Sequence, residues 1–463
     1  MFFQALSMSK PSEQSRVQVL EAYKRALHDL NEGLIRLEPP RLPPGPLVEK
    51  LRGRMNAMRR FLDQVGNPEK GLPVVSVVGT SGKGSVALRT AEILRAHGLK
   101  VGLHVSPYLQ VATEKICVEG CYVSGLDFAD LVDWVLPAAR PLVRPETPAS
   151  IHGMASIAMA MEHFRRMRTD VVVFEAGCGG RYDLSLALKP VVVALTGASR
   201  DHVESLGPSL EDIAFHKSGM IRGKTRVVTA AGGPALEAIF RQISSQGGLA
   251  LTRCRPSADW RITNTSLALG AARKALEVFG MALDAGKAWQ AVEQNNLPAR
   301  MEAMDQGPGE PHAILDGAHN LEKISASLSI VDDLESQKGR RVLLTGFLAT
   351  KEPGKMIERL SHWADQAITT SPRVYGKPSF PAEEAATLFR ALKVPAKAIH
   401  EPVEALRTAI SMCGSEDTLL ITGSLYLAGE IRNRWYPAEE VLLRRTSWPE
   451  MKPKKIIWNS PKI

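Results

Sequence analysis

One stretch constrains this 463-residue chain more than any other: Pro73-Val74-Val75-Ser76-Val77-Val78, followed by Gly79-Thr80-Ser81-Gly82-Lys83-Gly84-Ser85. A short β-branched run of this kind reads as a strand buried on both faces, as in parallel sheets. The glycine-rich turn then opens a helix, expected over Ser85–His97. A helix start leaves amide hydrogens unpaired and carries a partial positive charge, so it holds anions. Glycines let the backbone approach phosphate oxygens. Lys83 adds a full charge, and the Ser85 hydroxyl suits Mg²⁺. The spacing departs from G-x-x-x-x-G-K-[ST], because position 77 is Val and Gly84 separates Lys83 from Ser85. A ligand-free glycine turn is the simpler reading. The lysine and serine together at the helix mouth argue against it.

The rest of the chain extends this pattern. Strands are expected at 101–105, 171–175 and 191–195, with helices at 17–30, 47–65 and 150–167. Proline-rich residues 38–46 read as irregular. Near Asn295–Arg300 the alternation restarts. Strands are expected at 312–315, 341–345, 366–369 and 418–422, and helices at about 320–334, 353–364, 381–392 and 402–413, with a last helix after Gly423. Strands alternating with helices predict parallel sheets covered by helices, the second of doubly wound type. The tail from Arg444 reads as loosely ordered.

With 44% apolar and 23% charged residues, the chain is neither a disordered protein nor a collagen-like one. It shows no internal repeat, no secretory leader and no apolar run of the ~20 residues a membrane helix needs. Met8 is an alternative start. Five scattered cysteines, with Cys117 and Cys121 lacking a second pair, make neither a disulfide framework nor a zinc site. A reducing, cytoplasmic setting is expected. The net charge of +9 fits a mildly basic surface or an anionic ligand. Lys452, Lys454 and Lys455 lack interleaved aromatics, so neither nucleic acid nor membrane is an expected partner.

The G-T-x-G-K-G-S loop is similar to the nucleotide loop of the Mur ligase superfamily. Val173-Phe174-Glu175-Ala176-Gly177-Cys178-Gly179-Gly180-Arg181-Tyr182-Asp183 resembles the E-x-G-x-G-G-R-x-D segment of folylpolyglutamate synthase and dihydrofolate synthase. Asp201-His202 with Leu206-Gly207, and His216-Lys217-Ser218-Gly219-Met220-Ile221, resemble that family's D-H-x-x-x-L-G and K-x-G-I-I motifs. Leu315-Asp316-Gly317-Ala318-His319-Asn320 and Thr422-Gly423-Ser424-Leu425-Tyr426-Leu427-Ala428-Gly429-Glu430 resemble its D-G-A-H-N and G-S-L-Y-L-x-G-E motifs. The matches run in order through most of the chain.

The resemblance implies an α/β fold of Mur-ligase type. A P-loop-type central parallel-sheet domain would occupy 47–297 and a Rossmann-like, amino-acid-binding domain 298–437. An N-terminal extension would cover 1–46 and a tail 438–463. The implied activity is ATP-dependent addition of L-glutamate to dihydropteroate or a (tetrahydro)folate through an acyl-phosphate, giving ADP and phosphate. Carboxylate oxygen is a poor leaving group, and phosphorylation solves that problem by positioning and charge neutralisation. By the resemblance, Gly79, Thr80, Ser81, Gly82, Lys83, Gly84, Ser85, Asn264, Arg300, Asp316 and His319 would bind ATP. Ser85, Glu175, His202 and Lys217 would hold Mg²⁺ at two sites, with a CO₂-derived carbamate on Lys217. Lys83, Lys217 and His202 would be catalytic. Ser106, Tyr108, Arg181, Tyr182, Asp183 and Ser424 would meet substrate. A monomer acting on a pterin or folate-like acid and glutamate is expected.

Plainer readings stand beside these. Glu175 reads as a cap or surface charge, His202 as structural, Lys217 as a surface lysine on a helix 209–216, and Asn264 as a helix cap. The acyl side departs from the family. Tyr108 stands in S-P-H-L, Lys115 in E-R-I, Ile151-His152 in F-E-x-x-T, Leu184-Ser185-Leu186 in A-T-N, and Lys351-Glu352 in K-D-K. A related ligase acting on another carboxylic acid, or a non-catalytic nucleotide-binding protein of the same fold, are the alternatives.

Overall fold

The computed structural model describes residues 12–34, 47–144, 146–200, 206–245, 250–257, 259–304, 307, 309–332, 339–374 and 377–449. The first sheet contains β1 (Val74–Val78), β2 (Val101–His104), β3 (Ile116–Val118), β4 (Cys121–Tyr122), β5 (Val171–Glu175), β6 (Val192–Leu195), β7 (Arg226–Thr229) and β8 (Ala250–Arg253). Their order is β4-β3-β2-β5-β1-β6-β7-β8. All pairs are parallel except the β2–β3 and β3–β4 hairpin pairs. β1 is wholly buried, and alternate residues enter different cores. Val75 and Val77 pack with the helices Lys83–Ala96 and Trp260–Leu276, while Val74 and Val78 join two other clusters. This two-residue alternation between apolar layers is why four of the five residues are valine, with Ser76 the one buried polar residue among them.

The second sheet contains β9 (Glu302–Ala303), β10 (His312–Leu315), β11 (Arg341–Thr345), β12 (Gln366–Thr369), β13 (Ala396–Ala398) and β14 (Thr418–Thr422), in the order β13-β12-β11-β14-β10-β9. Only β9 runs antiparallel. The four strands expected here occur with the same bounds. Those the sequence reading passed over, β3, β4, β7, β8, β9 and β13, span two to four residues each. The helices Leu210–Ser218, Gly125–Ala139 and Pro234–Ser245 complete the cover of the first sheet.

Two segments outside the expected central domain pack against its elements. Helix Glu13–Leu34 lies against the helices covering the first sheet. It buries Tyr23, Ala26, Leu30 and Leu34, a three-to-four-residue stripe, and packs along helix Gly125–Ala139. Tyr23 meets Phe128 ring to ring at 5.5 Å, and its Oη accepts the Ala112 N–H at 2.8 Å. The start of the tail is ordered too. Helix Ala438–Arg444 is followed by Arg445, whose carbonyl accepts the Tyr122 N–H at 2.9 Å. Its Nε donates to the Tyr122 carbonyl at 2.6 Å. β4 is the edge of the first sheet, and this segment covers its free backbone groups. The irregular 38–46 stretch and the lysines beyond 450 lie outside the described residues. Among the described residues, no helix is long and apolar enough to cross a membrane.

Candidate active site

The ends of β1, β5 and β6 meet beside the first residues of helix Lys83–Ala96. Gly82 begins that helix in the left-handed region, at φ 80°, with no side-chain cap on the first amides. The loop is fixed from outside by the segment after β6. Thr196 Oγ1 donates to the Ser81 carbonyl at 2.6 Å, Thr80 N–H donates to the Gly197 carbonyl at 3.1 Å, and Thr80 Oγ1 accepts the Ser199 N–H at 3.0 Å. Space is tight: a Cβ on Gly82 would meet Asn264 Oδ1 at 2.5 Å, and one on Gly84 would meet Leu297 Cδ1 at 2.9 Å and Glu175 Oε2 at 3.3 Å. Ser81 Oγ is buried without a hydrogen-bond partner. An uncapped helix mouth, an orphaned hydroxyl and glycines that admit no side chain together make a cradle suited to phosphate.

Glu175 closes β5 directly above this mouth. Its Oε2 accepts the Ser106 N–H at 3.0 Å. Burial raises its carboxyl above the usual carboxylate range, opposed by Lys83, the Ser106 amide, Arg300 and Lys323. Lys83, Glu175 and Arg300 therefore share one electrostatic neighbourhood. Lys83 folds onto its own loop, with Nζ 3.2 Å from the Gly79 carbonyl. Ser85 and Glu175 supply oxygen donors of the type a hard cation takes. Among the described residues, no group of three His, Cys, Asp or Glu is placed to hold a metal. His202 lies outside the described residues.

Lys217 is not a surface lysine. It sits in the last turn of helix Leu210–Ser218 and is 2% exposed. Its carbonyl and that of His216 lie so close to Gly180 that no Cβ fits there. Arg181 Nε donates to the Phe215 carbonyl at 3.1 Å, and its guanidinium lies 3.7 Å from the Phe215 ring centroid. Tyr182 meets His216 edge-on. Asp183 caps the turn Leu184–Leu188 through the Ser185 N–H at 2.9 Å. Asn264 lies inside helix Trp260–Leu276, whose cap is Asp259, so the cap reading of Asn264 is overturned. It is buried against Gly82 instead.

The second domain contributes loops after β10 and β14. Asp316 is buried, and its carboxylate accepts from Met301 N–H at 3.0 Å, Ala318 N–H at 3.0 Å and Ser327 Oγ at 2.7 Å. It holds the Arg300 loop from within. His319 Nδ1 lies 2.8 Å from the Gly317 carbonyl and Nε2 lies 3.0 Å from Lys323 Nζ. Burial and then Lys323 keep its pKa well below the ordinary histidine value, so Nδ1 donates and Nε2 accepts. Ser424 caps helix Leu425–Arg432. Between the domains lies an open cleft of about 440 Å³, lined by Ser85, Arg89, Trp260, Asn295, Arg300 and Met301. Trp260 Nε1 is buried there without a partner.

A second cavity of about 350 Å³ lies under helix Glu13–Leu34, with Tyr108, Lys115, His152 and Ser156 among apolar walls of Leu27, Leu30 and Phe128. Lys115 Nζ donates to Ser156 Oγ at 3.1 Å, and among the described residues no carboxylate pairs with it. Burial lowers its pKa to about 8, and burial with the Lys115 charge lowers His152 to about 3. Neighbouring His104 is 4% exposed, stacks on Phe174 at 4.1 Å and leaves both ring nitrogens unpartnered. The sequence reading marked 108, 115 and 152 as departures without joining them into one cavity. It missed Thr196, whose only signal is its place at the end of a buried strand.

A strand–glycine loop–helix cradle facing a second, doubly wound domain is the architecture of a Mur-type ligase. Residues 299–425 match the family described as Mur ligase, glutamate ligase domain. The Bacillus subtilis dihydrofolate synthase/folylpolyglutamate synthase is 26% identical over 437 residues, covering 84% of this chain and 96% of that protein. The Lacticaseibacillus casei folylpolyglutamate synthase is 28% identical over 412 residues, covering 80% and 92%. The probable bifunctional folylpolyglutamate synthase/dihydropteroate synthase of Haloferax volcanii is 26% identical over 425 residues. The chain spans 49% of that longer protein. The structure of Mycobacterium tuberculosis folylpolyglutamate synthase complexed with ADP shares the fold at a TM-score of 0.78 and 20% identity, covering 90% of this chain and 99% of that one. Over most of its length the chain is similar to folylpolyglutamate synthases and dihydrofolate synthases.

Proposed function

We propose that this protein is an ATP-dependent ligase that joins L-glutamate to dihydropteroate or a folate, releasing ADP and phosphate. The carrying observation is the meeting of the uncapped glycine loop, Lys83, Glu175 and Arg300 at the edge of an interdomain cleft. The loop amides and Lys83 would hold the phosphates, and Arg300 would offer a forked donor from the second domain. Asn264, buried against Gly82, would meet the nucleotide beyond the loop. Ser85 and Glu175, with His202, would hold Mg²⁺, which neutralises charge on phosphate oxygens when bound. A second cation, held with the help of a carbamate on Lys217, belongs to this proposal. So does the role of His319, whose neutral, hydrogen-bonded ring would orient the nucleotide rather than carry charge. The substrate carboxylate attacks the γ-phosphorus, the β–γ bridging bond breaks, and the amine of glutamate then displaces phosphate from the acyl-phosphate. The cavity at Tyr108, Lys115 and His152 would take the acyl substrate. Glutamate would enter from the second domain beside Ser424. Closure of the cleft would exclude water from the acyl-phosphate.

The test is ADP release in the presence of dihydropteroate, folates or unrelated acids, each with glutamate. Stimulation by the pterins supports the reading. Stimulation only by other acids moves the substrate class, and no stimulation by any acid removes the ligase assignment. Lys217→Ala should abolish turnover while leaving nucleotide binding intact, with partial rescue by formate or acetate; unchanged turnover would take Lys217 out of the chemistry.

A further inference from the structure

We propose that Arg432 is the positioning residue that aims Arg300 at the nucleotide and couples that aim to the loop ending at Gln110, an inference resting on the ligase reading of Arg300. Arg300 lies between Ala299 at φ 52° and Met301 at φ 53°. Side chains with a Cβ rarely adopt that region, and they persist there only where the surroundings fix them. Two buried carboxylates do so, one on each side. Asp316 Oδ2 accepts the Met301 N–H at 3.0 Å, and Glu302 Oε2 accepts the Ala299 N–H at 2.8 Å. Asp316 is steadied by its own loop. Glu302 is steadied from 130 positions away, by Arg432.

Arg432 is 0% exposed. Its Nε donates to Glu302 Oε2 at 3.0 Å and its Nη2 to Oε1 at 2.8 Å, a forked pair that fixes the plane of the carboxylate. Trp448 Nε1 adds a donor to Oε1 at 3.3 Å. Arg432 Nη1 donates to Gln110 Oε1 at 2.6 Å, and Gln110 Nε2 donates to the Tyr436 carbonyl at 2.7 Å. Gln110 stands four positions after Ser106, whose amide holds Glu175. One guanidinium thus joins the Arg300 loop, the segment that steadies Glu175 and the chain after helix Leu425–Arg432. Apolar groups of equal volume often serve stability as well as a buried ion pair does. What this pair adds is direction: it turns the second lone pair of Glu302 towards the Ala299 amide.

The test is a double-mutant cycle on the full chain with Arg300→Ala and Arg432→Met. It is read as AMPPNP affinity with Mg²⁺ by calorimetry and as KM for ATP against kcat. Arg300→Ala is expected to weaken AMPPNP about 100-fold and Arg432→Met about tenfold, with Arg432→Lys recovering part of the loss. On the Arg300→Ala background, Arg432→Met should add less than about twofold. Additive losses, or a lower Tm with unchanged AMPPNP affinity, overturn the inference and leave the role of Arg300 standing. An ineffective Arg300→Ala overturns both. Should Arg432→Met fail to fold, Trp448→Phe removes one donor to Glu302 and keeps the ring. It should cost about two- to threefold in AMPPNP affinity and vanish on the Arg300→Ala background; a loss that persists there overturns the inference.

Discussion

At the mouth of helix Lys83–Ala96 the first main-chain amides carry no side-chain cap; in the cavity under helix Glu13–Leu34 the polar groups are side chains. The first region is held by hydrogen bonds with 196–199, two of them through the Thr80 and Thr196 hydroxyls, and a Cβ at Gly82 or Gly84 would meet side-chain atoms at 2.5 and 2.9 Å. The second has apolar walls and a lysine, Lys115, that donates to a hydroxyl, Ser156 Oγ, and among the described residues pairs with no carboxylate. An amide cradle can be lost through a single added methyl group but cannot be retuned by one. A side-chain cavity can change its ligand through one substitution while its walls remain. In the same chain the glycine loop resembles G-T-x-G-K-G-S, while positions 108, 115 and 152 around the second cavity depart from the pattern of the folate ligases.

Three measurements would break or sharpen this contrast. The largest effect is expected from Gly82→Ala. The methyl group would displace Asn264 and force alanine into the left-handed region, so AMPPNP affinity should fall at least about 100-fold, the scale of losing one preorganised donor. Near-native affinity would mean that the loop is softer than its contacts imply. Next, Lys115→Met should raise KM for the acyl substrate about 10- to 100-fold with little change in kcat or in KM for ATP. The free ammonium titrates near 8, so raising the pH through that value removes the cation and should raise the same KM. Lys115→Arg stays charged and should flatten that rise. A pH profile identical in wild type and Lys115→Arg would dismiss the lysine as an anion receptor.

The smallest effect concerns stability. Burial lowers the folded-state pKa of His104 to about 3, against about 6.5 in the unfolded chain. The unfolded chain therefore binds the proton first. Stability from this group is complete above about pH 6.5 and declines as pH falls towards the folded value. Between pH 6.5 and 5 the loss is up to about 2 kcal/mol. His104→Phe should remove that part of the acid slope in urea denaturation at pH 7 and pH 5. An unchanged slope would mean that His104 is already protonated or hydrated in the folded protein.

The sequence made the β-branched strands and the phosphate loop legible because their information is local. Pro73–Val78 reads as a strand buried on both faces, and Gly82-Lys83-Gly84-Ser85 as a helix start suited to anions. The four principal strands of the second domain were equally plain. The second cavity was not, since Lys115 and His152 lie on separate segments that meet only in the folded chain. Nor was the Arg432–Glu302 pair, whose members lie 130 positions apart. Asn264 misled because a polar residue near a helix start suggests a cap, while Asp259 five residues earlier already fills that role.

The segment Ala438–Trp448 reaches back to the β4 edge, where Arg445 grips Tyr122 across 323 positions, and helix Glu13–Leu34 meets it through the Arg16–Glu440 pair at 2.7 Å. During synthesis, the first sheet therefore waits with this border bare until the chain has been made past Arg445. Such long-range closure slows folding and prolongs the exposure of sticky edges. A nascent chain halted near residue 435 would make that delay permanent and offer the bare border to chaperones.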